Sequence, residues 1–103
     1  MMSNHTVDWL VQEVRDLLDV SSTGLYEFLE LLDVRDEDLS VPERMDIAAS
    51  ALQRLLREDG VRLYRLTWSD QAVRTELALD SLPADPWLPP DEDGRYIAVD
   101  RPS

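Results

Sequence analysis

Carboxylates and guanidinium groups make up almost the whole chemical repertoire of this 103-residue chain. It has 22 aspartates and glutamates, ten arginines and no lysine, no cysteine and a single histidine. Without cysteine there is no thiolate nucleophile, no disulfide and no zinc–thiolate site. The one histidine, His5, stands among the first residues, so a serine–histidine–acid arrangement or a multi-histidine metal site lacks its parts. A carboxylate pair for glycoside chemistry is available by composition alone, but a chain of this size rarely offers the deep cleft such chemistry uses. The runs Asp36-Glu37-Asp38 and Asp91-Glu92-Asp93-Gly94 supply the oxygens a hard cation needs, yet neither has the spacing of a calcium loop, and solvated loops are the simpler expectation. The sequence therefore predicts no enzyme, no metal and no cofactor.

Charge is what remains. The formal net charge is -12, enough on so small a body to repel phosphate backbones and attract basic partners. It is uneven along the chain: residues 1–40 carry -8, residues 41–68 carry +1 and residues 69–103 carry -5. Arginine as the sole basic residue beside His5 points to a GC-rich bacterial or phage genome. No stretch of about 18 apolar residues could span a bilayer, and Met1-Met2-Ser3-Asn4-His5 lacks the basic and apolar regions of a signal peptide, so the expected compartment is the cytoplasm. The sequon Asn4-His5-Thr6 is then fortuitous.

The elements that must position these charges follow from periodicity. Val7, Leu10, Val11, Val14, Leu17 and Leu18 recur at steps of three and four, which predicts an amphipathic helix capped by Thr6. After Ser21-Ser22, Thr23 reads as a second helix start before Leu25, Tyr26, Phe28, Leu29, Leu31 and Leu32, with Glu27, Glu30 and Asp33 on the solvated side. A third helix begins at Ser40: Val41-Pro42 places proline in the first turn, and Glu43 completes a capping box. It runs through Met45, Ala48, Ala49, Leu52, Leu55 and Leu56 to Glu58, and Gly60 ends it. Val61 to Trp68 is rich in branched and aromatic residues and predicts a strand; Ser69-Asp70-Gln71 reads as a turn and residues 73–79 as a second, weaker strand. Four prolines between Leu82 and Pro90 exclude regular structure and predict a surface strap with Trp87 pinned to the core. Asp91-Glu92-Asp93-Gly94 is a turn, and Arg95-Tyr96-Ile97-Ala98-Val99 a final strand. Trp9, Tyr26, Phe28 and Trp68 are assigned to core packing.

The fold class expected is α+β, a three-helix bundle followed by a small antiparallel sheet, in one domain of residues 1–103. Three helices, a capped third helix from Ser40 and a strand directly after Gly60 give the chain an order of elements that resembles the winged helix-turn-helix superfamily over residues 6–80, with the strap and last strand at 81–103. The connection before the third helix is longer than the tight turn of that superfamily. The resemblance implies a DNA-binding regulator acting as a dimer, in which Arg44, Ser50, Gln53, Arg54 and Arg57 form the exposed face of a recognition helix and Arg62 and Arg65 meet phosphates. The competing account of these arginines is intramolecular pairing with Glu43, Asp46, Glu58, Asp59 and the acidic helices.

Because the overall charge has the wrong sign for DNA, the leading expectation is an acidic protein-binding module of the immunity or phage-encoded inhibitor type, occluding a basic surface of a toxin or defence protein. The carboxylates best placed for this in the sequence are Asp33, Asp36, Glu37 and Asp38, grouped at one connection, followed by Asp91, Glu92 and Asp93. Trp87 is either an anchor onto its own domain or a hot-spot residue for the partner. A scaffold or dimerisation module is a third possibility, since fold does not determine function.

Overall fold

The apolar stripe of the first segment builds α1 (Asn4–Leu18), and Val7, Leu10, Val11, Val14 and Leu18 are all buried along one side of it. The computed structural model describes residues 4–35, 38–68 and 70–101. Leu17, expected on the same stripe, lies at its margin and is 39% exposed. The helix starts at Asn4, so Thr6 falls inside the first turn instead of capping it. A two-residue strand, β1 (Thr23–Gly24), precedes α2 (Leu25–Arg35). The capping box expected at Ser40 is complete: the Glu43 amide donates to Ser40 Oγ and the Ser40 amide to Glu43 Oε1, each at 3.2 Å. It opens α3 (Val41–Arg54), which widens into one π turn over Leu55–Asp59 and ends at Gly60, whose φ of 66° is a left-handed conformation that glycine adopts without strain.

Then come β2 (Arg62–Thr67), β3 (Asp70–Leu77), a 3₁₀ turn at Leu79–Ser81 and β4 (Arg95–Asp100). The class is α+β, with an antiparallel sheet in the order β1-β4-β2-β3. The last strand in sequence is thus an interior strand, paired to β1 through Thr23 and Gly24 and to β2 along six residue pairs from Arg62↔Asp100 to Thr67↔Arg95. The predicted turn at 69–71 is shorter than expected: Asp70 already pairs with Thr67, and the register shifts there before regular pairing resumes at Leu66↔Arg74.

Alternation along the strands divides the sheet into two faces. Leu63, Ile97 and Val99 point to the helices and merge with Leu10, Val11, Leu25, Phe28, Leu32, Ile47 and Leu55 into the main core. Tyr64, Leu66, Tyr96 and Ala98 point the other way and form a second cluster, against which Tyr26 packs. Long side chains cover that second face in place of another layer. The Arg74 guanidinium lies 4.8 Å from the Tyr64 ring centroid and bonds Asp100 at 2.9 Å, while Arg62 bridges to Glu76 at 3.3 Å.

Thr23 is not a helix cap. The residue is 1% exposed beside Val99, and Oγ1 has no hydrogen-bond partner among the described residues. The cap of α2 comes instead from Glu27, which accepts from the Gly24 amide at 2.6 Å, the reciprocal half of a capping box. A buried hydroxyl without a partner carries its full desolvation cost. Thr23→Val, which keeps shape and strand preference, is expected to raise stability by about 1 kcal/mol in urea unfolding; no gain would mean that the hydroxyl is satisfied in solution.

Candidate partner-binding groove

The arginines expected on the face of a recognition helix are spent within the chain. Arg44 reaches Asp33 at 3.1 Å; Arg54 pairs with Asp8 and, at 3.5 Å, with Glu58; Arg57 meets Glu58 at 3.2 Å; Arg62 meets Glu76. Gln53 is exposed and Ser50 half-buried on α3. Arg65 is exposed on β2 within electrostatic reach of Asp91. Beyond that set, Arg15 binds Asp59 through two bonds of 2.8 and 2.7 Å, Arg101 binds Asp19, Arg95 approaches Asp93 at 4.0 Å, and Arg35 stacks 4.7 Å over the Trp9 ring. This is the intramolecular account of most of the basic residues, and its physical cause is plain: with 22 carboxylates on a small surface, most guanidinium groups find one nearby, Arg35 taking a ring face instead.

Of the carboxylates singled out from sequence, Asp33 is engaged by Arg44, Asp38 is exposed and makes contacts of its own, and Asp36 and Glu37 lie outside the described residues. The acidic loop at 91–93 is a built turn. Asp91 accepts at 2.9 Å from the amides of both Arg95 and Asp93, and these bonds, the Arg95 one foremost, hold its carboxyl below the ordinary aspartate value. Its backbone closes the turn through Gly94 N–H to Asp91 O at 2.9 Å. Trp87 is half-buried and packs on Phe28 with ring centroids 6.1 Å apart; its amide is held by Asp85 at 3.1 Å.

The strap and the 91–95 turn wall off two adjoining hollows that share Pro89 and Asp91. One, of about 400 Å³, is bounded by Arg65, Arg95, Asp85 and Asp91 around Pro86 and Ile97, so its charges balance internally. The other, of about 630 Å³, is different in kind. Tyr26 and Trp68 form its aromatic sides; Glu27, Glu30, Asp91 and Glu92 line it, and no basic residue does. Tyr96 lies beneath, edge-on to Tyr26 at 5.7 Å and to Trp68 at 6.0 Å.

Two glycines make this arrangement possible. A Cβ at Gly24 would stand 2.5 Å from the Tyr26 ring, so that ring can lie flat on the strand only because the position is bare. Gly94, at φ 76°, lets the chain turn close under Trp68, whose amide donates to Gly94 O at 2.6 Å. Trp68 itself is 60% exposed, which corrects the expectation of a core tryptophan: it stands where β2 ends, past the last residue that the helices cover. Burial pushes the Tyr26 hydroxyl up to about 12, with the neighbouring Glu27 adding to it. Burial likewise raises the Glu27 carboxyl, offset in part by the Gly24 amide and reinforced by Glu30.

Sequence reasoning named Glu92 and Asp91 of this groove but not Tyr26, Glu27, Glu30 or Trp68. Their meeting depends on β1, a strand of two residues that periodicity does not reveal; the one local signal was a glycine set two residues before a tyrosine. Among the described residues no helix is long and apolar enough to cross a membrane, and no three metal-ligating side chains gather. No family model matches the chain, and neither does any curated protein or solved structure.

Proposed function

We propose that this protein is a non-catalytic acidic module that docks on the basic surface of a protein partner, in the manner of an immunity protein or phage-encoded inhibitor occluding a toxin or defence protein. The observation that carries the proposal is the pairing of the arginines. Once Arg44, Arg54, Arg57 and Arg62 are held by carboxylates, no cationic face among the described residues stands against the net charge of -12. Such a field speeds encounter with a basic partner, and exposed aromatic surface then contributes to holding the complex.

A second reading, a winged-helix DNA-binding regulator, is favoured by the order of three helices followed by a hairpin, and by the exposure of Gln53, Arg57 and Arg65. Phosphate contacts from Arg44, Arg54, Arg57 or Arg62 would have to break existing ion pairs to form. A salt titration separates the two. At low salt the protein is expected to bind a small globular protein of pI above about 9 and not mixed-sequence duplex DNA. Tight DNA binding that weakens steeply with salt would overturn the proposal.

A further inference from the structure

We propose that the larger groove, between Tyr26, Trp68 and the 89–94 segment, is the seat of an arginine side chain of the partner. The inference rests on the acidic-docking reading above and deepens it by naming a site and a ligand chemistry. Three independent features converge there.

The first is charge. Glu27, Glu30, Asp91 and Glu92 line the groove without a single basic residue among them, whereas the adjoining hollow balances its acids with Arg65 and Arg95. Glu27 and Asp91 have oxygens committed to backbone amides, but Glu30 and Glu92 make no hydrogen bond or ion pair among the described residues and are left to receive a donor from outside.

The second is aromatic surface. Trp68 is 60% exposed where three rings of the described residues meet; a short hydrogen bond from its amide to Gly94 holds its backbone, and its ring makes an edge contact with Tyr96. Among the described residues no arginine of this chain stacks on Trp68 or Tyr26. An exposed indole packed edge-on against a second ring, beside carboxylates with no partner among the described residues, is a cation site, because the ring face attracts a cation while the carboxylates take its N–H groups.

The third is the chain's own practice. Arg35 lies 4.7 Å over Trp9 and Arg74 4.8 Å over Tyr64, and Arg74 binds Asp100 at the same time. Twice, therefore, this surface uses an aromatic ring as a guanidinium platform, once with a carboxylate beside it; the groove offers the same pair of elements with the guanidinium missing. Arginine suits it better than lysine: its planar, weakly hydrated head stacks and presents a fork of N–H donors to two carboxylates at once, where an ammonium is a strongly hydrated point charge. A volume of about 630 Å³ also admits the peptide backbone that brings the side chain in.

The test uses blocked hexa-arginine and hexa-lysine peptides, titrated at low salt with Trp fluorescence and calorimetry as readouts. Hexa-arginine is expected to bind several-fold tighter than hexa-lysine. Trp68→Ala and Glu30→Gln should each lower that affinity, the former about tenfold, while Asp46→Asn, which removes an exposed charge on α3, should leave it nearly unchanged. Trp68→Leu keeps apolar volume at the site, so a loss shared by both Trp68 variants, with thermal unfolding unchanged in at least one, is a loss of the ring face. If hexa-arginine binds but all variants behave like Asp46→Asn, or if the two peptides bind equally, the groove is not the seat and the acidic-docking reading stands alone. If neither peptide binds, this inference falls, and the broader reading falls with it only if the basic globular protein is also not bound.

Discussion

Phe28→Ala is expected to cost about 3–5 kcal/mol in urea unfolding, a large share of the stability of a small domain. Phe28 is fully buried, and its position explains the size of the effect. It sits on α2 facing the main core, and the Trp87 ring of the strap closes over it at 6.1 Å. Removing the ring opens a cavity between the bundle and the strap, which prolines at 83, 86, 89 and 90 keep from collapsing into a regular element that could fill it. Trp87→Ala costs less, because part of that ring is in solvent in both states. The pair is expected to couple by about 0.5–1.5 kcal/mol in a double-mutant cycle, the strength of an aromatic contact beyond simple burial. Additive effects would show that the strap is not anchored on Phe28, and the groove that residues 89–94 complete would lose its wall.

That dependence of a surface groove on a core contact marks the limit of what the chain discloses before it is folded. Helices are read well because their evidence is local: the spacing in α1, the Ser40–Glu43 box and Gly60 each sit inside the segment they define. β1 is invisible, since two residues have no period, and Thr23 looks like a helix cap because threonine serves both purposes. Strand order is no more local. Residues 95–99 read as a strand, but their place between β1 and β2 follows from the covering of both faces of Ile97, Ala98 and Val99. Trp68 falls outside the core for a related reason: alternation along β2 is real up to Leu66 and then runs out beyond the reach of the helices. The number of acids is plain from composition, but which of them face solvent unpaired is decided by tertiary contacts such as Asp33 with Arg44 and Asp8 with Arg54.

The second large effect concerns one of those contacts. Arg15 on α1 and Asp59 at the end of the π turn form a two-bond ion pair, 2.8 and 2.7 Å, across 44 residues of sequence, with Glu58 at 3.8 Å from the same guanidinium. This is the geometry in which a surface pair is worth more than its exposed counterparts, because the planar fork fixes two oxygens at once and both groups are partly buried. The bond to Arg15 holds the Asp59 carboxyl below its ordinary value of 3.8, and reciprocally raises Arg15. A carboxyl depressed in the folded state stabilises the fold above its unfolded value and loses that contribution as pH falls through the lower, folded value. Asp59→Asn is therefore expected to cost about 1–2 kcal/mol at neutral pH. The gap between variant and parent should hold down to the ordinary aspartate range and shrink below it, as the parent's own carboxyl becomes protonated and resembles the amide. Arg15→Ala should behave alike at neutral pH, and combining it with Asp59→Asn should cost little more than either alone, since both break the same contact. Urea unfolding followed by tryptophan fluorescence from neutral pH to about pH 2.5 measures all three. A gap that persists undiminished at the acid end would mean that Asp59 acts through packing and not through its charge, and the clasp between α1 and the end of α3 would have to be explained without the ion pair.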